Sequence, residues 1–381
     1  MNKFFKIALT SAIGLGVFTS GYSGNPDRAG SAGASQLLIN PWARSSGLGS
    51  SNQANAHGLE AMYLNVAGMA FTKKTEVVFS RTNWLGGSQI NINSFGFTQH
   101  VGETGVLGLG IMSLDGGDIN ITTVDQPEGN IGYFSPLFLN IGLSYAKAFS
   151  DNIYGGATLK IISEQISNVA ARGVCLDAGI QYHTGKYDEF HIGITLKNVG
   201  PKMTYTGDGM SFEANIASGS QYNNTVSGYT ATFEQRSANF ELPSLLSMGL
   251  SYDFLLGLTG KKVAPKDGEG TTGKTINSVA DVDHRISVSA NFTSNSFTND
   301  LYSFGVEYGF KKYLMVRTGF TYEKDQFNDD LRRTAFTGPS AGLTLQLPFG
   351  TDKNKTFALD YSYRFTNPFA GVHSIGARIN L

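Results

Sequence analysis

The chain has 381 residues, with 29 Lys or Arg against 30 Asp or Glu and a net charge of −1 at pH 7, a balance that offers no broad basic surface for nucleic-acid phosphates. Aromatics at 12% argue against disorder, and a lone Cys175 rules out a disulfide framework within the chain or a multi-cysteine metal site. Charged residues make up only 15%, and the polar balance is Gly, Ser, Thr and Asn instead.

The first residues read as an address. Lys3 and Lys6 precede a short apolar stretch from Ile7 to Phe18, and small residues follow at Thr19, Ser20, Gly21 and Ser23. That is the pattern of a secretory signal peptide over residues 1–23. As a membrane anchor the run falls short of the ~20 residues that a spanning helix needs. Residues 24–75 change character, being rich in Gly, Ala, Ser and Asn with apolar clusters at Leu37–Ile39 and Leu59–Met69.

From residue 76 onward the chain alternates. Period two predicts strands at Glu76–Trp84, Ser88–His100, Gly105–Ser113, Leu137–Ala148, Ile153–Ile162, Val174–Tyr182, Phe190–Val199, Leu245–Leu256, His284–Phe292, Asp300–Phe310, Leu314–Glu323, Pro339–Leu347, Thr356–Phe365 and His373–Leu381. In the tenth, Tyr302, Phe304, Val306, Tyr308 and Phe310 oppose Ser303, Gly305, Glu307, Gly309 and Lys311. A soluble sandwich would show a mostly aliphatic inner face and a charged outer one. Here the apolar face is rich in Phe and Tyr and the other is small or polar, which predicts an all-β, 14-stranded antiparallel transmembrane barrel with lipid outside and a polar lumen. A secreted sandwich or propeller is the alternative, and no blade-length repeat supports it.

With both termini in the periplasm, the links 101–104, 149–152, 183–189, 311–313 and 348–355 become periplasmic turns, all short. The links 114–136, 200–244 and 324–338 become longer outer loops, as barrel rules require. The Gly, Lys and Asp-rich link 257–283 is the exception, a long link on the periplasmic side.

The segment before the barrel carries a resemblance. Gly33-Ala34-Ser35-Gln36-Leu37-Leu38-Ile39, Trp42-Ala43-Arg44-Ser45-Ser46-Gly47-Leu48-Gly49 and Glu60-Ala61-Met62-Tyr63-Leu64-Asn65-Val66-Ala67-Gly68-Met69-Ala70 are similar to the opening of the PorV/PorQ family of Bacteroidota, FadL-like barrels of the type IX secretion system. Leu64 stands where that family usually has Trp, and Val66 where it has Pro; a looser match is Glu241-Leu242-Pro243-Ser244. The resemblance implies a non-catalytic outer-membrane component that receives or tethers secreted clients, with outer-membrane lipid, a SprA-like translocon barrel and proteins carrying type IX C-terminal domains as partners. The alternative it leaves is a FadL-like channel for hydrophobic small molecules. It also marks residues 24–75 as a hatch, with Arg44, Gly47, Gly49 and Asn65 in the hatch motif; the segment either plugs the lumen or covers the periplasmic mouth.

Other candidates are weighed on their chemistry. Lys160, Asp177, Lys197, Asp253, Arg285, Glu307, Arg317, Glu323, Asp360, Arg364 and Arg378 fall on lumenal faces, as a conduction path or, since the signs balance, as an ion-paired filling. Cys175 faces the lumen as a small residue. Gly108-Leu109-Gly110 is strand glycine giving close packing, because no helix follows it. The six histidines show no metal-binding spacing, no Gly-x-Ser-x-Gly elbow is present, and no cofactor motif occurs. In the long loop, Tyr205, Met210, Phe212, Tyr222, Tyr229 and Phe233 lie among Gly, Ser, Thr and Asn, the composition of an adaptable protein-binding surface, or of a lid on the barrel.

Overall fold

The computed structural model describes residues 26–218, 227–258, 282–348 and 355–381. The expected signal peptide, the link 257–283 over most of its length and Tyr222 lie outside the described residues.

The strands in chain order are β1 (Thr75–Asn83), β2 (Asn91–Val101), β3 (Gly105–Asp115), the short β4 (Ile119–Asn120) and β5 (Tyr133–Phe134), β6 (Leu137–Ala148), β7 (Ile153–Ile166), β8 (Val169–Thr184) and β9 (Phe190–Val199). They continue with the short β10 (Tyr205–Thr206), β11 (Ser211–Ser218), β12 (Ser227–Glu234), β13 (Leu245–Leu258), β14 (Val282–Asn295), β15 (Leu301–Phe310), β16 (Leu314–Glu323), β17 (Phe336–Pro348), β18 (Thr356–Thr366) and β19 (Val372–Asn380). Fourteen of them form the wall: each pairs antiparallel with its neighbour, and β1 pairs with β19 from Glu76↔Asn380 to Asn83↔His373, closing the barrel. β4 with β5, and β11 with β12, are separate two-stranded ribbons in the long links between β3 and β6 and between β9 and β13.

Alternation sets the faces as expected. On β15, Phe304, Val306 and Tyr308 are exposed while Ser303 and Glu307 are buried. Leu143, Ile180, Phe304 and Ile375, each at least half exposed and on four different strands, belong to an apolar belt, the geometry of a lipid-facing wall. The expected strands differ from the observed ones mainly at the end of the barrel opposite the C-terminus. β8 runs from Val169 where the reading began at Val174, and β2 starts at Asn91 because Leu85 and Gln89 take positive φ in the turn before it.

Inside the wall runs a segment of short helical turns between Ser35 and Phe71, among them Ala43–Gly47 and Ala61–Leu64. Its seat is made of inward glycines. A Cβ added at Gly96, Gly108, Gly179, Gly193, Gly249, Gly305 or Gly319 would fall 2.1 to 2.9 Å from an atom of Leu59, Met69, Asn65, Ala54, Gln53, Ser51 or Leu48 respectively. Seven strands therefore leave out a side chain where this segment presses against them, and the lumenal face is its imprint.

One expectation needs correction. The backbone N–H of Leu381 donates to the Thr75 carbonyl at 2.9 Å, so the C-terminus and the start of β1 share one end of the barrel. Residues 28–33 instead meet Glu241, beside the start of β13, at the other end. The first and last described residues thus lie at opposite ends, because the inner segment traverses the lumen before the wall begins.

Candidate functional site

Three arrangements carry the chemistry: a charge network in the lumen, a seam in the wall and a ribbon at the rim.

The network is built around Glu307 on β15. Its Oε1 accepts from Arg44 of the inner segment at 3.1 Å and from Arg285 on β14 at 2.7 Å, and its Oε2 lies 3.2 Å from Arg317 Nε. Arg317 donates to the Thr344 hydroxyl, which donates in turn to Asp360. Arg378 stands 3.8 Å from Asp360 and 3.9 Å from Glu76, and Glu76 accepts the Leu59 backbone N–H at 2.9 Å. Ser45 donates to Glu60 at 2.9 Å. Glu307 holds the Arg44 guanidinium more firmly protonated than usual, while burial pushes the Glu60 carboxyl up against the pull of Arg378. Four cations and three carboxylates are joined by ion pairs, with Glu60 beside them on Ser45, so the arrangement is an ion-paired filling that joins the inner segment to seven wall strands, β1 and β14 to β19. A polar cavity of about 30 Å³, lined by Arg44, Asn52, His57, Asp253, Arg285 and Glu307 among others, lies against it.

The seam lies between β8 and β13. β9 stops at Val199 while β8 continues outward for several residues more, and the pairing slips between Leu176↔Val199 and Ala178↔Leu196. At the slip Asn198 adopts φ 59°, and side chains replace the ladder: its N–H donates to Asp177 at 2.8 Å, Lys160 donates to its Oδ1 at 3.0 Å, and its Nδ2 donates to the Pro243 carbonyl at 3.0 Å. Lys160 also pairs with Asp177, and Lys197 lies 3.6 Å over the Tyr63 ring. Above that point the gap is closed by pieces that are not barrel strands. β10 covers the edge of β8 at Ala170 and Ala171, Met203 bridges to Phe240, and Gly33 of the inner segment donates to the Glu241 carbonyl at 3.0 Å. Behind them Leu37, Ile162, Ala171, Cys175, Met203 and Leu242 form an apolar cluster. Glu164 on β7 ties the pieces together, accepting from Gln36 at 2.9 Å and from the Tyr205 hydroxyl. Outside, Glu241 pairs with Arg28 at 2.7 Å and Lys202 at 3.2 Å, and Arg28 lies 4.3 Å over the Phe297 ring. The Arg28 contact holds the Glu241 carboxyl below its usual range.

At the rim, β11 and β12 pair from Ser211↔Glu234 to Ser218↔Ser227, which puts Phe212 opposite Phe233 with ring centroids 5.9 Å apart, both exposed. Among the described residues, these two of the expected loop residues touch each other. Met210 sits in the turn before β11, Tyr229 lies opposite Ile216 on β12, and Tyr205 belongs to the seam. The hatch-motif residues are all lumenal: Arg44 reaches Glu307, Gly47 faces Gly342, Gly49 at φ +61° offers its carbonyl to Thr321, and Asn65 caps Ala67 and donates to the Ile180 carbonyl. Sequence reasoning missed Gln36, Glu164, Asn198 and the Arg28–Glu241 pair. The signal available was Gly200-Pro201, which ends β9 early beside a β8 whose alternation continues.

No protein-family model matches the sequence, and no curated protein does. The chain folds as a closed fourteen-stranded antiparallel barrel, and solved structures share that fold. It resembles the CymD monoaromatic hydrocarbon channel at 14% identity, covering 90% of this chain and 97% of that one, with a TM-score of 0.51. The toluene transporter TbuX of Ralstonia pickettii matches at 12% identity, 90% and 97% coverage and TM-score 0.47, and a Pseudomonas aeruginosa FadL homologue at 12%, 90%, 97% and 0.46.

Proposed function

We propose that this barrel resides in an outer membrane and passes hydrophobic small molecules, with the inner segment as its hatch and the seam between β8 and β13 as its lateral door. The observation that carries the reading is the seam itself. The wall is held there by side chains, a two-residue strand and the inner segment, with an apolar cluster directly behind. A solute leaving that cluster sideways would meet lipid without crossing the charge network. The fold shared with a monoaromatic hydrocarbon channel supports the same reading. Uptake of a labelled monoaromatic hydrocarbon by cells with and without the protein tests it. Expected is uptake that depends on the protein and rises when Arg28→Glu repels Glu241. Equal uptake in both cell types would refute the channel.

A second reading, a type IX secretion component, is favoured by the rim ribbon, whose stacked Phe212 and Phe233 stay exposed above a filled lumen. Mild-detergent affinity purification tests it. Recovery of a translocon barrel or client proteins, lost when residues 211–234 are deleted, would support this reading over the channel.

A further inference from the structure

At the end of the lumen opposite the rim ribbon, three histidines far apart in sequence come together. His57 belongs to the inner segment, His183 to the end of β8 and His191 to the start of β9. Their ring centroids are 5.6 Å apart for His57 and His183, and 4.3 Å for His183 and His191. Phe71, at the end of the inner segment, packs between them and β7: 4.2 Å from His57, stacked at 4.7 Å on His183, and 4.3 Å from Tyr154. His57 Nε2, His183 Nε2 and His191 Nδ1 are buried without a hydrogen-bond partner among the described residues. The charged groups facing this cluster come from every side: Arg44 of the inner segment and Arg285 on β14 face His57, while Asp188 in the turn and Asp253 on β13, with Arg285 again, face His191. Asp151 and Asp188 face Tyr154 on β7.

We infer that this cluster is an acid-released latch, in which two imidazoles must stay neutral for the inner segment to dock against β7, β8 and β9. The two are His57 and His183. His191 has carboxylates to meet a proton, whereas His57 faces two guanidiniums and His183 faces the other rings. Neither ring has an ion pair with a carboxylate among the described residues, although Asp253 and Glu307 line the cavity beside His57, so a proton on either would be charge buried against Phe71, and protons on both would be like charges 5.6 Å apart. Moving His57 and Phe71 away from β8 relieves both costs. Burial accordingly holds the His57 imidazole well below its ordinary value.

The sign follows from linkage. The undocked state binds protons with an ordinary histidine value of about 6.5, and the docked state does not, so docking strengthens as pH rises through that value and weakens below it. Each such imidazole raises the undocking constant about tenfold between pH 7.5 and 5.5, and two raise it about a hundredfold. The inference is independent of what the barrel carries.

Hydrogen exchange of the full chain in detergent micelles at both pH values, corrected for the intrinsic exchange rate, tests it. Peptides covering residues 52–72 should exchange about a hundredfold faster at pH 5.5, with β3 and β15 unchanged. His57→Phe should leave about tenfold of that dependence, and His57→Gln repeats the test with a neutral polar side chain should the Phe variant fail to fold. Equal protection of residues 52–72 at both pH values would overturn the latch. So would loosening of the whole barrel together, or pH dependence that survives the loss of both His57 and His183.

Discussion

Between Ala43 and Met69 the inner segment is fixed on every side, by glycine seats on seven strands and by a buried ion-pair network of four cations and three carboxylates. Between Arg28 and Leu37 it is fixed by one exposed ion-pair cluster, a backbone bond to Glu241, the Gln36 bond to Glu164 and a small apolar cluster. The same stretch of chain is a structural filling over one half and a removable strap over the other. Buried pairs are costly to break singly, whereas exposed ones contribute little and are screened by salt. At neutral pH, where the histidine cluster stays docked, movement that opens a path should therefore begin at the strap and its seam, while the network stays closed.

The comparison breaks most severely at Arg317. Replacing it with Met leaves Glu307 and Asp360 short of a buried partner, and should destabilise the barrel by about 3–5 kcal/mol in urea unfolding. A milder result, within about 1 kcal/mol, would mean that water enters the network and that the deep half is not a sealed filling. Next is Gly305→Val, whose first added carbon would already lie 2.1 Å from Ser51 Oγ. Overpacking of that kind should weaken docking by about 1–3 kcal/mol, read as protease sensitivity of residues 43–69 with the wall still folded. At the seam, Asn198→Ala removes the bonds to Lys160 and Pro243 and places a residue with no polar side chain at a left-handed φ. It should cost about 1–3 kcal/mol, with faster exchange confined to β8 and β9.

The wall was legible because its signal is local. A strand in a bilayer alternates within ten residues, and β15 or β18 can be read alone. The lumenal charges were legible for the same reason, since Glu307, Arg317 and Asp360 follow from the parity of their own strands. What joins distant parts was not legible. His57 and His183 are 126 positions apart, and only the path of the inner segment brings their rings together. Asn198 looked like one more strand residue because a slip in pairing leaves no trace in alternation. Gly108 was read as close packing, but that it seats Met69 depends on a segment with no period of its own.

The smallest effect belongs to the strap, and its direction separates the two halves most cleanly. Arg28 holds the Glu241 carboxyl below the ordinary value of 4.5, so the clamp is fully formed above that pH and is lost as pH falls through the lowered value. The histidine cluster acts in the opposite region, weakening docking as soon as pH drops below about 6.5. An acid titration followed by hydrogen exchange should then release residues 52–72 first and residues 28–38 only at lower pH. Glu241→Gln should raise hydrogen exchange of residues 28–33 at pH 7 modestly and leave barrel stability unchanged, because both partners of the pair are more than a third exposed. If the Gln variant unfolded the wall as well, the strap would be part of the barrel's structural closure, and the distinction between filling and strap would fall.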